Sequence, residues 1–438
     1  MLPQGSPPAE AGDLPERPAR GGVAIRLAIT LSYFVLAILL NSAGTVILQS
    51  INSLGVAKDS AALLEAFKDL PIAIVSFLVA SFLPRLGYRR SMMLGLAAIA
   101  VACAALPILP SFFMVKLLFT VTGAGFALIK VSVYSIIGLL TRTRRGHASF
   151  TNAVEGLFMV GVLSGYWLFA AFIDPGDPQS QAWLNVYWVL LGLVLLVLVL
   201  LAFSRLDETE AHSPRPYPLE DFVAMLRLML RPLVLVFVIS AFLSVLIEQG
   251  IGTWLPTFNN QVLSLPAAMS VQAASIFAFG LAVGRLLAAL ALARIGWYPV
   301  LNLCLGGMAV LVVLTLPLTR GLQPHAHMTW LDAPAAAFIL PLIGVFMAPI
   351  YPAINSALLS SLPRSEHAAM MGLIVVFSAL GGTTGSLIIG QVFGAFSGQT
   401  AFYLLLIPMA LMIVSVFFFK RAIDATRVAQ LAILAAAP

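Results

Sequence analysis

Long apolar runs separated by short polar breaks dominate the chain. A run such as LGLVLLVLVLLAF has neither the two-residue alternation of a half-buried strand nor the polar stripe of a soluble surface helix. Each run is about 20 residues long, the length a helix needs to cross ~30 Å of hydrocarbon. Spans are predicted at roughly 24 to 48, 60 to 83, 91 to 109, 112 to 140, 149 to 173 and 183 to 203, then at 232 to 256, 268 to 293, 298 to 318, 334 to 360, 368 to 392 and 400 to 419. The pattern therefore predicts an all-α membrane protein with twelve transmembrane helices in two pseudo-symmetric six-helix halves.

Composition agrees. Of 438 residues, 61% are hydrophobic and 10% charged, against about 25% charged in a soluble domain. An outer-membrane barrel is excluded by the missing alternation. The net charge of +6 does not point to nucleic acid, because the basic residues sit in short clusters between apolar runs rather than on one face. Arg17, Arg20, Arg85, Arg89, Arg90, Arg142, Arg144, Arg145, Arg205, Arg215, Arg227, Arg231, Arg294, Arg364, Lys420 and Arg421 fall on one side of the predicted membrane; Lys58 and Arg320 fall on the other. Because basic loops stay cytoplasmic, both termini are expected inside, in a multi-pass plasma membrane of the bacterial inner-membrane type. Residues 1–23 read as a disordered tail, 24–203 and 232–420 as the two bundles, 204–231 as a linker in which LEDFVAMLRLML is either an amphipathic helix or plain linker, and 421–438 as a tail. Cys103 and Cys304 lie inside apolar runs and carry no disulfide or metal framework.

The halves echo each other. Pro84-Arg85-Leu86-Gly87-Tyr88-Arg89 precedes span 3, and Ala293-Arg294-Ile295-Gly296-Trp297-Tyr298 precedes span 9; GVLSG near Gly161 matches ALGGTTG near Gly381. Repeats related by an axis along the membrane normal put a solute site at their interface, so transport is the expected activity. With its PRLGYRR loop the chain resembles the major facilitator superfamily. EAFKDLPIAIVSFLVASFLPRLGYRR, FAFGLAVGRLLAALALARIG and FMAPIYPAINSALLSSL are similar to the fucose:proton symporter group. The resemblance implies that Gly87 makes a tight turn and that Arg85, Arg89 and Arg90, with Arg294 and Gly296 in the weaker second copy, form a cytoplasmic gate.

Ionisable groups at bilayer depth cost at least ~2.5 to 3.5 kcal/mol each, so a site that keeps one lines a cavity or pairs. Lys68 and Asp69 in span 2, Lys130 in span 4, Glu155 in span 5, Glu248 in span 7 and Arg285 in span 8 are such groups. Lys130 stands about 18 Å from Arg142 along its helix, and Glu155 about 15 Å from Arg145, so the two share a depth and can form an ion pair. The alternative is that Lys130 receives an anionic part of the solute, or that Glu155 exchanges a proton as the pair opens and closes. Asp69 and Glu248 lie in the outer half and are candidate proton carriers, while Glu65, Lys68 and Asp69 also have the spacing of a salt-bridged helix end. Arg285 sits in a Gly-Arg pair like that of the fucose-symporter group; snorkelling is its bland role.

Asn41, Tyr134, Asn152, Gln249, Trp254, Tyr351 and Asn355 complete the expected substrate-binding set, with Gln49 and Asn259 as further polar candidates. Gly250 and Gly252 invite a break in span 7. Fucose symporters carry acids in spans 1 and 4 where this chain has Gly44 and Ile129, next to Lys130. An acidic sugar, a peptide-like solute or a carboxylate is therefore as open as a neutral sugar.

All five histidines, His147, His212, His325, His327 and His367, lie in or beside loops, and no nucleophile set, phosphate loop or redox motif occurs. The expectation is a monomeric, proton-coupled transporter of a small polar solute without metal or cofactor. The alternatives are an exporter of lipophilic compounds and a non-transporting sensor.

Overall fold

A computed structural model describes residues 22–141, 143–204, 227–322, 328–363 and 366–436, and all regular structure among them is helical. Eleven helices among the described residues are long and apolar enough to cross a membrane. Leu64–Leu86, 23 residues long, adds a twelfth of spanning length, about 35 Å. Its first turns carry Glu65, Lys68 and Asp69. The protein is thus a multi-span helical membrane protein, and the twelve spans follow the predicted order.

Span 1 comprises Gly22–Asn41 and Ala43–Leu54; span 2 is Leu64–Leu86, span 3 Tyr88–Ile108, span 4 Phe112–Leu140, span 5 Arg144–Ala170 and span 6 Val186–Phe203. Span 7 is Pro232–Gln261, span 8 Ala267–Ile295 and span 9 Trp297–Thr315. Span 10 is assembled from Ala336–Ile339, Ile343–Met347 and Ile350–Leu359, span 11 is His367–Ala395, and span 12 runs through Gly398–Leu404 and Leu406–Ala436. The last helix continues well past the predicted end at 419. The linker helix predicted in 219–230 lies outside the described residues up to 226, as do the N-terminal tail to residue 21 and His325-x-His327.

The predicted break in span 7 is corrected: Pro232–Gln261 is one continuous helix. Gly250 there abuts Ile389 and Leu405, and Gly252 abuts the Phe277 ring, so both serve close packing. The broken spans are 1, at Asn41–Ser42, and 10, where Pro341 and Pro349 fall between helical pieces. A proline has no N–H for the helix ladder and its ring collides with the preceding turn. At the span 1 break, the Leu40 carbonyl accepts a 3.4 Å hydrogen bond from Lys68 Nζ.

Close backbone approaches make the repeat visible in three dimensions. A methyl group on Gly161 of span 5 would strike the Phe34 carbonyl of span 1, and one on Gly381 of span 11 would strike the Phe242 carbonyl of span 7. Phe242 lies 208 positions after Phe34, and Gly381 lies 220 after Gly161. Likewise Gly123 of span 4 abuts Lys68 of span 2, and Gly344 of span 10 abuts Phe277 of span 8, with spacings of 221 and 209. These near-constant shifts pair Asn41 with Gln249, Lys130 with Tyr351 and Tyr134 with Asn355.

Candidate functional site

Two polar assemblies lie between the first six helices and the last six. The first is mid-depth. Spans 1, 4 and 5 meet through a ring cluster in which buried Tyr33 packs edge-on to Tyr134 and Phe158, at centroid distances of 6.4 and 5.9 Å. Tyr134 projects from this cluster and donates its hydroxyl hydrogen to Glu155 Oε1. Lys130, one turn earlier on span 4, holds its ammonium 5.6 Å from the Phe126 centroid. Lys130, Glu155, Asn152 and Asn41 are all exposed, and Asn41 Nδ2 also donates to the Ala37 carbonyl.

The anticipated Lys130–Glu155 ion pair is not formed: no carboxylate among the described residues comes within 4 Å of Lys130. Glu155 remains within electrostatic reach of Lys130, but its oxygen is taken by Tyr134. Equal depth had suggested the pair; the angular position about each helix axis decides against it.

Across the interface, Arg285 Nη1 of span 8 approaches Met159 Sδ of span 5 at 3.5 Å, one turn beyond Glu155. Arg285 also lies within electrostatic reach of Glu248 on span 7, which in turn faces Tyr351. The Tyr351 hydroxyl shares a 2.8 Å hydrogen bond with Ser378, and half-buried Asn355 sits one turn further on. Each six-helix group thus holds a pair of opposite charges, Lys130 with Glu155 and Glu248 with Arg285, none in an ion pair within 4 Å, and Arg285 alone reaches across the interface, to Met159.

The second assembly lies towards the end remote from the arginine clusters. Lys68 Nζ sits 2.5 Å from Glu65 Oε2 and 3.7 Å from Asp69 Oδ1. Glu65 and Lys68 are buried, and Asp69 nearly so. Two carboxylates and one ammonium leave a net negative charge there, partly met from the other side: Thr253 Oγ1 of span 7 donates to Glu65 Oε1 at 2.7 Å and lies 3.3 Å from Gln249 Oε1. Asp69 lies against Gly382 of span 11. The expected salt-bridged helix end is therefore present, and it is also an interface.

The same end is closed by direct contact. Gly44 of span 1 meets the Thr253 backbone so closely that a methyl there would collide with its carbonyl. Ser386 of span 11 donates to the Ala62 carbonyl at 3.2 Å. Trp254 is fully buried, with Nε1 donating to the Ser386 carbonyl at 3.0 Å. It presents nothing to a solute and braces this seal. Gln49 and Asn259 are likewise buried, the latter donating to the Ser270 carbonyl at 3.1 Å. Thr253, Gly44 and Ser386 were not anticipated; a threonine one turn beyond Gln249 was the available signal.

At the arginine-rich end, Gly87 and Gly296 each form a one-residue joint between helices at φ 87° and 77°. Arg89 donates to the Leu201 and Ala202 carbonyls at the end of span 6, at 2.7 Å each. Arg90 and Arg294 are exposed. Arg231 pairs with Glu366 at 2.7 Å, joining spans 7 and 11. Of the Arg85 side chain nothing is described.

The sequence model of the Major Facilitator Superfamily matches residues 29–340, and the chain belongs to that superfamily of membrane transporters. In structure it is similar to the nucleoside transporter NupG (TM-score 0.67, 13% identity, 91% of this chain and 98% of that one). It is also similar to the D-xylose-proton symporter (0.65, 14%, 91% and 97%) and the E. coli fucose:proton symporter FucP (0.57, 15%, 91% and 99%). At these identities the likeness is one of fold. No curated protein matches the chain in sequence.

Proposed function

We propose that the protein is a monomeric secondary active transporter that moves a small polar solute, a sugar, sugar derivative or small organic anion, by alternating access coupled to protons. The observation that carries this reading is that each six-helix group holds charges along its spans, Lys130 and Glu155 in the first and Glu248 and Arg285 in the second, with Arg285 reaching Met159 across the interface and none of the four in an ion pair within 4 Å. A charge within a membrane span that served only architecture would pair with a counter-ion, whereas one that lines a water-filled cavity need not. These four charges are also absent from the repeat: Lys130 corresponds to Tyr351, Glu155 to Val375, Glu248 to Leu40 and Arg285 to Ser76. Packing of the fold does not require them.

The first six and last six helices are the two moving bodies in this reading. Positive-inside bias makes the arginine-rich end cytoplasmic in a bacterial inner membrane, with both termini on that side. The described state is then closed outward, and the solute meets Lys130, Tyr134, Asn152, Glu155, Asn41, Gln249, Tyr351 and Asn355 from the cytoplasm. The Glu65–Lys68–Asp69 cluster supplies the coupling: a proton taken up by Asp69 cancels its excess negative charge and eases separation of spans 2 and 11. The experiment is uptake into proteoliposomes from a panel of neutral sugars, nucleosides, sugar acids and small carboxylates, with and without an inward proton gradient. Gradient-driven accumulation of one class supports the reading. Binding without flux for every compound would make the protein a sensor.

A further inference from the structure

A pocket opens at the sealed end, away from the mid-depth charges. Its volume is about 380 Å³, towards the lower end of the range that small-molecule sites occupy. Lys58, in the short helix between spans 1 and 2, supplies one wall. The rest comes from the last six helices and their loops, with Gln261, Ser264, Thr319, Phe393 and Gln399 as the side chains of consequence. Gln399 Nε2 donates to Thr319 Oγ1 at 3.0 Å, which fixes the amide in the wall. The Lys58 ammonium stands 4.8 Å from the Phe393 ring centroid, and no carboxylate among the described residues lies within 4 Å of it. Its neighbour Asp59 is exposed and accepts from the Ser60 amide instead. Partial burial without a counter-ion holds the Lys58 ammonium below the usual lysine range.

We infer that this pocket binds a small hydroxylated carboxylate, with the carboxylate against Lys58 and the hydroxyls against the amides and hydroxyls of the opposite wall. A cation over an aromatic ring beside a polar cavity is complementary to an anion that also carries hydrogen-bonding groups. The pocket has a second property. Because Lys58 belongs to one six-helix group and the other walls to the second, the site exists only while this end is closed. A ligand that binds one of two states shifts their ratio by the factor 1 + [L]/Kd, roughly tenfold at ten times Kd. Occupancy therefore holds the seal shut. The site is separate from the mid-depth one and does not depend on what that site carries.

The test uses the full chain in lipid nanodiscs, with D-gluconate as the probe and sorbitol as an uncharged control of the same length. Melting temperature is followed for wild type, Lys58→Met, Lys58→Arg and Lys130→Ala. The expected result is stabilisation by gluconate in wild type, Lys58→Arg and Lys130→Ala, its loss in Lys58→Met, and none from sorbitol in any of them. The inference is overturned by no gluconate shift in wild type, by a shift that survives Lys58→Met, or by an equal response to sorbitol. A shift lost in Lys130→Ala but kept in Lys58→Met overturns it too, because gluconate then binds at mid-depth.

Discussion

The Thr253 hydroxyl donates to Glu65 Oε1 at 2.7 Å, joining span 7 to span 2 in buried surroundings. This hydrogen bond exists in only one arrangement of the two six-helix groups, since the partners lie on opposite sides of the interface. A hydrogen bond to a charged group contributes about 1.5–3 kcal/mol. Thr253→Val keeps the shape and removes the donor, while Glu65 retains its local pairing with Lys68. The sealed arrangement should lose roughly ten- to a hundredfold in population. Spin labels at Ala57 and Gln261 report it: the variant should show a growing population at long distance. An unchanged distance distribution would mean that Thr253 does not hold the seal.

Gly44 and Gly161 separate gating from folding. Each meets a backbone carbonyl of another helix, but Gly44 faces Thr253 across the interface whereas Gly161 faces Phe34 within the first six helices. Overpacking costs typically 1–3 kcal/mol. Gly44→Val should relieve it by opening the sealed end, leaving the melting temperature close to wild type and changing the label distance. Gly161→Val has no rigid-body escape and should lower the melting temperature by several degrees. Equal loss of stability in both variants would show that the seal is part of the folded core.

These two glycines also mark where the sequence was legible. The span order and the repeat follow from hydrophobic run length and from recurring Arg-aliphatic-Gly-aromatic joints, both local signals. Depth along a helix could be counted, so Lys130 and Glu155 were placed at one level. Rotation about the helix axis could not, and Tyr134 rather than Lys130 holds the carboxylate. Gly44, which occupies the place of an acid in the fucose symporters, has no room for any side chain against Thr253, while Ile129 is buried beside Gly95. Trp254 reads as a substrate-binding residue because aromatic residues serve both in binding sites and in cores, and its full burial and contact with Ser386 assign it to the core.

Lys130 discriminates between solute classes. Its ammonium is exposed and shares no ion pair within 4 Å, so an anionic solute would gain a charge-assisted contact of about 1.5–3 kcal/mol. Lys130→Met should weaken binding of such a solute by about ten- to a hundredfold and leave a neutral one within a few-fold. Equal affinity for anionic solutes in wild type and Lys130→Met would assign Lys130 to packing against Phe126.

For Lys58, the pH dependence has a definite sign. Burial disfavours its charged form, so its folded-state value lies below that of an unfolded lysine. The ammonium is therefore lost as pH rises through that lowered value, earlier than for an exposed lysine. Carboxylate binding at the outer pocket needs the ammonium and should fade over that same rise. Gluconate stabilisation should decline with rising pH in wild type and decline later in Lys58→Arg, whose guanidinium stays charged. The same pH dependence in wild type and Lys58→Arg would exclude Lys58 as the anion's partner.

Gly87 and Gly296 test whether the two groups of six helices are independent units of stability. Each is the single residue between two antiparallel helices, at φ 87°, ψ 139° and φ 77°, ψ 169°, a region that side-chain-bearing residues avoid at a cost of about 1–3 kcal/mol. Gly296 has no atom within 4 Å of where a methyl would project, so the penalty of an alanine there is conformational and not steric. Gly87→Ala and Gly296→Ala should each lower stability, and because the joints belong to different six-helix groups their effects should add within about 0.5 kcal/mol in the double variant. Unfolding by denaturant in mixed micelles gives the three numbers. If the double variant loses no more than the worse single one, one group unfolds first and alone; a loss well beyond the sum would show that strain at one joint is carried to the other through the shared seal at Glu65 and Thr253.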